Sequence, residues 1–127
     1  MKEAVQTDQA PAAIGPYSQA IKAESGRLVF CSGQIPLDPQ SGEVVGATAS
    51  EQAERVMQNL KAVLEAAGSG FDGVVKTTLY LADITDFAQV NEVYGRFFRS
   101  SAPARVAVAV AALPKGVKLM IDAIATV

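Results

Sequence analysis

A capped amphipathic helix between residues 48 and 68 constrains the fold of this chain more than any other feature. Thr48 and Glu51 have the spacing of a capping box, and Gly68 is of the residue type that most readily ends a helix. The apolar residues between them follow the i, i+3, i+4, i+7 spacing of one buried face: Ala53, Val56, Met57, Leu60, Val63, Leu64 and Ala67. Because such a face must pack on another layer, the pattern predicts a layered fold.

Strand patterns lie on both sides of this helix. Residues 28–32 are rich in strand-forming side chains and stand between Gly26 and Gly33, and residues 74–81 are largely β-branched. Residues 105–112 and 118–127 predict two further strands, joined over 113–117 by a segment whose Pro and Gly suit a hairpin loop. Two prolines and a glycine within residues 10–17 exclude a regular helix there and predict an ordered loop.

A second helix is predicted to begin near Thr85 or Asp86. Its buried stripe consists of Phe87, Val90, Tyr94, Phe97 and Phe98. Asn91 falls within that stripe, and a buried amide that finds no hydrogen-bond partner costs about 1–3 kcal/mol. Asn91 is therefore an anomaly in an otherwise apolar helix face.

The order of these elements predicts an α+β fold in which both helices pack on one face of a mixed sheet. At 127 residues, the chain (residues 1–127) is expected to form a single domain. Hydrophobic residues make up 50% of the sequence, at the top of the ordinary range for proteins in water. We therefore expect the second sheet face to be covered by a subunit interface in a homo-oligomer.

Charge and composition argue against several classes of partner. A net charge of −2, with 11 scattered basic residues, argues against nucleic acid, because phosphate binding needs clustered lysine and arginine. The sequence contains no apolar stretch of about 18 residues that predicts a membrane span, and residues 1–6 do not resemble a secretory signal. The single cysteine permits no internal disulfide, so a reducing, cytoplasmic location is expected.

The chain has no histidine, which removes imidazole-based triads, imidazole metal ligands and the usual neutral-pH general base. Acid–base chemistry would have to use Asp, Glu, Tyr, Lys, Cys31 or a positioned water. Cys31 lies in an apolar strand without an activating base, which favours a buried, inert thiol. Asp83 and Asp86 are most simply explained as helix-capping groups.

Arg105 is the main candidate for a binding residue. It opens an otherwise apolar strand, and side-chain alternation places it on one face with Ala107 and Ala109, over a shallow space with small walls. A planar guanidinium in such a place is suited to bind a carboxylate through two hydrogen bonds. The alternative is an ordinary surface arginine at a strand end.

Five segments together resemble the RidA (YjgF-like) family in order and spacing, over essentially the whole chain. They are APAAIGPYSQ at 10–19, SGQIP at 32–36, DFAQVN at 86–91, PAR at 103–105 and LPK at 113–115. The resemblance implies a chorismate-mutase-like α+β fold and a homotrimer with clefts between neighbouring subunits. It also implies hydrolysis of reactive enamines and imines, chiefly 2-aminoacrylate, to 2-keto acids and ammonia, without a cofactor or metal.

The resemblance further assigns roles to individual residues. Arg105 would bind the substrate carboxylate and act as the catalytic residue, while Tyr17, Ser32, Gly33 and Asn91 would line or support the same cleft. A place in this cleft would account for Asn91, the polar residue in the apolar stripe of the second helix.

Two positions depart from the family pattern. Active members usually carry Cys at the position of Ala107, and they carry a water-orienting Glu at the position of Met120. A thioether cannot orient or activate water, and Asp122 lies about 7 Å further along the strand, too far to replace that Glu directly. We therefore expect Ala107 and Met120 to occupy substrate-binding positions. Because neither residue is the one that active members carry, we also expect the turnover of substrate to be attenuated.

Three functions follow from this comparison. The leading one is an attenuated 2-iminobutanoate/2-iminopropanoate deaminase, in which positioning by Arg105 still accelerates imine hydrolysis through proximity. The alternative is a regulatory protein that binds a 2-keto acid or similar small carboxylate without turnover. RNA cleavage is the weakest of the three, because the chain is acidic and lacks both histidine and a basic stripe.

Overall fold

The computed structural model describes residues 2–24 and 26–127. Within these ranges the chain forms six strands and two helices, connected by short 3₁₀ turns and loops. The elements are β1 (Lys2–Val5), β2 (Ala20–Ala23), β3 (Leu28–Gln34), α1 (Ala49–Ala66), β4 (Val74–Leu81), α2 (Phe87–Phe97), β5 (Ala104–Ala109) and β6 (Leu119–Thr126). Among the described helices, none combines the length and apolarity needed to cross a bilayer.

Four of the strands form a mixed sheet in the order β3–β6–β4–β5. β6 is antiparallel to both β3 and β4, whereas β4 and β5 are parallel and are connected through α2. Both helices pack on one face of this sheet, as predicted, and enclose the hydrophobic core. We call this the covered face; its fully or nearly fully buried side chains include Thr77, Leu79, Leu81, Leu119, Ile121, Ala123 and Ala125.

Neither helix covers the opposite side of the sheet, which we call the open face. It carries Phe30, Tyr80, Val106, Val108, Met120, Asp122 and Ile124. Phe30 is 71% exposed, and Val106 and Val108 are 43% and 40% exposed. The apolar excess noted in the sequence is therefore concentrated partly on this uncovered surface.

The predicted limits of α1 are confirmed. The Thr48 side chain accepts a hydrogen bond from the Glu51 backbone N–H at 3.1 Å, and Glu51 Oε1 accepts the Thr48 N–H at 3.0 Å. This capping box satisfies N–H groups that have no partner within the helix. The chain leaves the helix through Gly68, whose φ of +82° is readily adopted only by glycine.

The predicted hairpin between the last two strands is wrong. β5 and β6 do not pair with each other, because β4 lies between them in the sheet. After Ala109 the chain leaves β5, turns through Pro114–Gly116 and crosses the end of β4 before β6 begins. Pro and Gly mark this turn correctly, but they do not determine which strand the following segment joins.

Residues 10–17 form an ordered irregular loop, as predicted, but the sequence does not predict the strands on either side of it. β1 and β2 pair as an antiparallel ribbon with Lys2 opposite Ala23 and Val5 opposite Ala20. The Lys2 ammonium donates to the Val74 carbonyl oxygen at 2.6 Å and attaches this ribbon to β4. Each strand has only four residues, none of which is buried, so the sequence offers no hydrophobic alternation to detect.

Candidate functional site

Arg105 is the second residue of β5 and lies on the covered face, opposite Thr77 of β4. Its side chain is half-buried beneath the start of α2 and the loop that precedes β2. The sequence predicted a shallow space walled by alanines, and this prediction is wrong. The guanidinium carbon lies 5.4 Å, 5.4 Å and 5.1 Å from the ring centroids of Tyr17, Phe87 and Tyr94.

These rings provide an environment that stabilises a cation. The negative π faces of aromatic rings attract a guanidinium within about 6 Å, most strongly where water is excluded. Tyr17 is predicted from the sequence as a residue of the cleft. Phe87 and Tyr94 are predicted only as part of the apolar stripe of α2. Their contact with Arg105 could not be read from that stripe, because residues that bury a helix face have the same spacing.

Asn91 is brought directly to Arg105. Arg105 Nη1 donates a hydrogen bond to Asn91 Oδ1 at 2.6 Å. This bond explains how an amide is accommodated within the buried stripe of α2, since the amide oxygen receives a charged donor. It also fixes one edge of the guanidinium and orients the remaining N–H groups.

The Arg105 charge has no acidic counter-ion in the described part of the chain. Within residues 2–24 and 26–127, no carboxylate oxygen lies within 4.0 Å of an Arg105 guanidinium nitrogen. Burial lowers the pKa of the guanidinium, while Tyr94 and Tyr17 act in the opposite direction. Arginine nevertheless remains protonated in proteins, so the site holds a partly desolvated positive charge.

Behind Arg105, two buried hydroxyls satisfy each other. Thr77 Oγ1 and Tyr94 Oη lie 2.7 Å apart, and both residues are fully buried. Burial raises the pKa of Tyr94 to about 12, although the Thr77 hydrogen bond and the Arg105 charge oppose the shift. Tyr94 is therefore a neutral phenol at physiological pH and contributes its ring face to the cation.

The loop before β2 forms the outer wall of the site. A Cβ at Gly15 would lie 3.7 Å from Arg105 Nη2, so the backbone of this loop approaches the guanidinium closely. Pro16 packs against Gly95 of α2, where a Cβ would lie 3.6 Å from the proline ring. The Gly-Pro-Tyr segment is thus held between α2 and β5, which places Tyr17 over Arg105.

Met120 lies on the other side of the sheet. It pairs with Tyr80 of β4, three residues after the partner of Arg105, and side-chain alternation puts the two positions on opposite faces. Met120 covers Gly33, where a Cβ would lie 2.6 Å from the Met120 Sδ atom. Gly33 belongs to an irregular stretch of β3 in which the register with β6 shifts between Cys31 and Gln34.

Asp122 shares the open face with Met120 but is engaged elsewhere. Tyr80 Oη donates to Asp122 Oδ2 at 3.1 Å, and this hydrogen bond is the largest cause of a raised Tyr80 pKa. Burial, followed by the Asp122 charge, raises the pKa of the Cys31 thiol. These contacts fit the expectation that Cys31 is an inert thiol.

The predicted site residues therefore form two groups in one chain. Tyr17 and Asn91 contact Arg105, and Ala107 follows on the same face and packs against the core. Gly33 and Met120 lie together on the open face, and Ser32 is exposed beside them. A single chain does not bring the two groups together, because the sheet separates them.

The fold places the chain in the class of small α+β proteins with a chorismate-mutase-like architecture. A family model described as "Endoribonuclease L-PSP" matches residues 7–127. The chain belongs to this family, which is the RidA (YjgF-like) family identified from the five sequence segments.

Curated relatives and solved structures match over nearly the whole chain. Protein DfrA of Myxococcus xanthus is 57% identical over 124 residues, which cover 98% of this chain and 95% of that protein. The 2-iminobutanoate/2-iminopropanoate deaminase of Mus musculus is 49% identical over 125 residues, covering 98% and 91%. The crystal structure of Escherichia coli TdcF with bound serine is 44% identical with a TM-score of 0.76, covering 98% of each chain.

Proposed function

We propose that this protein hydrolyses small 2-imino acids and their enamine tautomers, such as 2-aminoacrylate, to 2-keto acids and ammonia. The observation that carries the proposal is the half-buried Arg105 guanidinium, which has no carboxylate within 4.0 Å among the described residues. A desolvated cation without a counter-ion favours an anionic ligand, and a carboxylate fits the guanidinium fork. The deaminase name of a relative 49% identical supports an imine as the substrate class.

The reaction requires little from the protein beyond positioning. An enamine substrate first gains a proton at its β-carbon and loses an N–H proton, which converts it to the imine. Water then adds to the imine carbon and loses one proton, while the π electrons of the C=N bond move to nitrogen, which takes up one proton. In the resulting carbinolamine the hydroxyl oxygen loses a proton and forms the C=O bond of the ketone, while the C–N bond breaks and the amino nitrogen gains a proton and leaves as ammonia. One water is consumed and no electrons are transferred, so the chemistry has no need of a redox group.

The catalytic cleft would form between subunits of a homotrimer. Arg105 and Met120 lie on opposite faces of one sheet, so a cleft that contains both positions needs residues from two copies of the chain. The open face carries exposed Phe30, Val106 and Val108, which a neighbouring subunit would remove from water. In this arrangement Arg105 would hold the carboxylate, and Ser32, Gly33 and Met120 would border the reacting carbon.

Met120 is expected to slow turnover without preventing binding. A thioether offers neither a proton donor nor a basic oxygen, and positioned acid–base groups commonly contribute about 10²–10⁴-fold to rate. The Asp122 carboxylate already accepts a hydrogen bond from Tyr80 and lies beyond Met120 along β6. Proximity to an ordinary water is then the main source of acceleration.

A trapping competition tests this proposal. An amino-acid oxidase supplies the imine, semicarbazide traps it, and the protein is added in increasing amounts to divert imine to keto acid. Wild-type protein is expected to outcompete the trap, and Met120→Glu to raise kcat/KM by about tenfold or more. Met120→Gln, which has a similar size but no acid–base group, is the matched control and should not give this gain.

Arg105 supplies the second arm of the same experiment. Arg105→Ala is expected to lower kcat/KM by about 10²-fold, because it removes a bidentate charge-assisted contact to the carboxylate. Arg105→Lys should retain part of the activity. If wild type and Met120→Glu both leave the trapping rate unchanged, the deaminase proposal is wrong.

Met120 also favours a second candidate, a regulatory protein that binds a 2-keto acid without turning over an imine. Its Arg105 site would be the same, and the relative crystallised with bound serine offers a precedent for a small carboxylate ligand. This candidate predicts that 2-ketobutanoate raises the Tm of the wild type and not of Arg105→Ala, with no activity in the trapping assay. Absence of a Tm shift across a panel of 2-keto acids would exclude it.

A further inference from the structure

The loop between β1 and β2 carries no buried apolar residue that could hold it in place. Residues 6–15 are all exposed, and Ile14 is 93% exposed. Nevertheless, this loop delivers Gly15 and Tyr17 to Arg105. Pro16 packs against Gly95 near the end of the loop, but contacts other than apolar packing must fix the path of residues 6–15.

The Gln19 side chain provides that connection. Its Oε1 accepts the Thr7 N–H at 2.7 Å, and its Nε2 donates to the carbonyl oxygens of Thr7, Ala10 and Pro11 at 3.2, 3.3 and 2.6 Å. All four contacts go to the backbone at the beginning of the loop. A single amide therefore joins the two ends of the loop.

Ser18, next to Gln19, anchors the loop to the strand that carries Arg105. Its hydroxyl donates to the Ala102 carbonyl oxygen at 2.5 Å, and its N–H donates to the Pro103 oxygen at 3.0 Å. The loop is thus fixed at one end to the residues that lead into β5 and is folded back on itself by Gln19. Gly15 and Tyr17 lie between these two attachments.

We propose that Gln19 is a positioning residue that holds the outer wall of the Arg105 site in its ligand-binding geometry. The inference rests on the proposed function for the identity of the ligand, a small 2-keto or 2-imino acid. Gln19 does not contact Arg105 in the structure; it acts through Gly15 and Tyr17. Loss of its contacts leaves the ligand to order the loop, which weakens binding.

The test compares Gln19→Ala with Gln9→Ala in the same loop. Gln9 enters the network only through its backbone N–H, which donates to Thr7 Oγ1 at 3.1 Å, so the alanine control leaves the contacts intact. We expect Gln19→Ala to weaken 2-ketobutanoate binding about tenfold and to raise KM for imine by a similar factor, with kcat changing less. Gln9→Ala should change either constant by less than about twofold.

Gln19→Glu is the second variant. A carboxylate keeps an acceptor for the Thr7 N–H but loses the Nε2 donor and places negative charge against three carbonyl oxygens. It should therefore bind no better than Gln19→Ala, although its side chain has nearly the size of the original. Recovery of wild-type affinity in Gln19→Glu would contradict the proposed role of the amide donor.

Amide hydrogen exchange supplies a readout that does not depend on the ligand. The Tyr17 and Ser18 N–H groups donate to Gly15 and Pro103 oxygens, and both should exchange faster in Gln19→Ala than in Gln9→Ala. Unchanged exchange overturns the inference, as does faster exchange with unchanged 2-ketobutanoate affinity. If the wild type neither binds 2-ketobutanoate nor hydrolyses imine, the proposed function fails and exchange alone decides whether Gln19 holds the loop.

Discussion

The two faces of the central sheet differ in what they require from the rest of the molecule. On the covered face, Leu79, Ile121 and Ala123 are buried by the helices of the same chain, and the charge of Arg105 lies among aromatic rings and an amide. On the open face, Phe30 and Met120 have no helix above them. The apolar side chains of the covered face are buried by one chain. Those of the open face would be buried only by contact with another surface.

Two isoleucines of β6, one on each face, test the difference between the faces directly. Ile121 is fully buried on the covered face, and Ile124 is partly buried on the open face. Ile121→Ala is expected to lower the free energy of unfolding by about 2–5 kcal/mol at any protein concentration, because it leaves a cavity. Ile124→Ala should cost less than half as much in dilute protein, and its cost should rise with concentration if subunits cover this face.

Urea unfolding at several protein concentrations, together with sedimentation to measure mass, checks both variants. Equal, concentration-independent losses at the two positions would contradict the difference between the faces.

Tyr80 on β4 and Tyr94 on α2 test the same difference through the pH dependence of the free energy of unfolding. Burial raises the pKa of Tyr94 to about 12, so its neutral form stabilises the folded state. That contribution is complete below the unfolded pKa of about 10, is lost as pH rises from about 10 to about 12, and amounts to about 2–3 kcal/mol. The measurement is the unfolding free energy of wild type and Tyr94→Phe between these pH values.

Tyr94→Phe should remove this pH-dependent loss, at the cost of leaving the buried Thr77 hydroxyl without its partner. Tyr80→Phe, on the open face, should leave the Tyr94 contribution in place and remove only the loss that arises from the raised pKa of Tyr80 itself. An unchanged pH dependence in Tyr94→Phe would show that another group dominates alkaline unfolding.

The smallest expected effect concerns the contact between Met120 and Gly33. Gly33→Ala places a methyl group 2.6 Å from the Met120 Sδ atom unless the thioether moves, and overpacking of this kind costs about 1 kcal/mol. In the Met120→Ala background the same substitution should cost little, which gives a measurable coupling in a double-mutant cycle. Additive effects in thermal unfolding would argue against this contact.

Local patterns predicted much of the fold. The periodicity of α1 with its capping box, the β-branched run of β4 and the apolar stripe of α2 each depend on neighbouring residues, so they can be read from the sequence. Asn91 was recognised as anomalous for the same reason, since it interrupts a periodic pattern. The family resemblance implied only that Asn91 lines or supports the Arg105 cleft, and the direct contact between the two residues was not predicted, because they belong to different elements.

Features that depend on pairing between residues far apart in the sequence could not be predicted from local patterns. β1 and β2 are short and exposed, and their stability comes from pairing and from the Lys2 contact with β4. The separation of Arg105 from Met120 follows from the registers of β5 and β6 on β4, which no local pattern encodes. The aromatic environment of Arg105 was hidden because Phe87 and Tyr94 also satisfy the spacing of a core helix face.

The position of β6 has a consequence for how this sheet is assembled. β6 follows every other strand in the sequence, yet it lies between β3 and β4 and makes the ladders that join them. Leu28 pairs with Thr126, so the sheet depends on contacts between residues far apart along the chain, a topology associated with slow folding. Until β6 docks, β3 and the β4–β5 pair have exposed edges, and premature association with another chain at those edges is the characteristic hazard of such an intermediate.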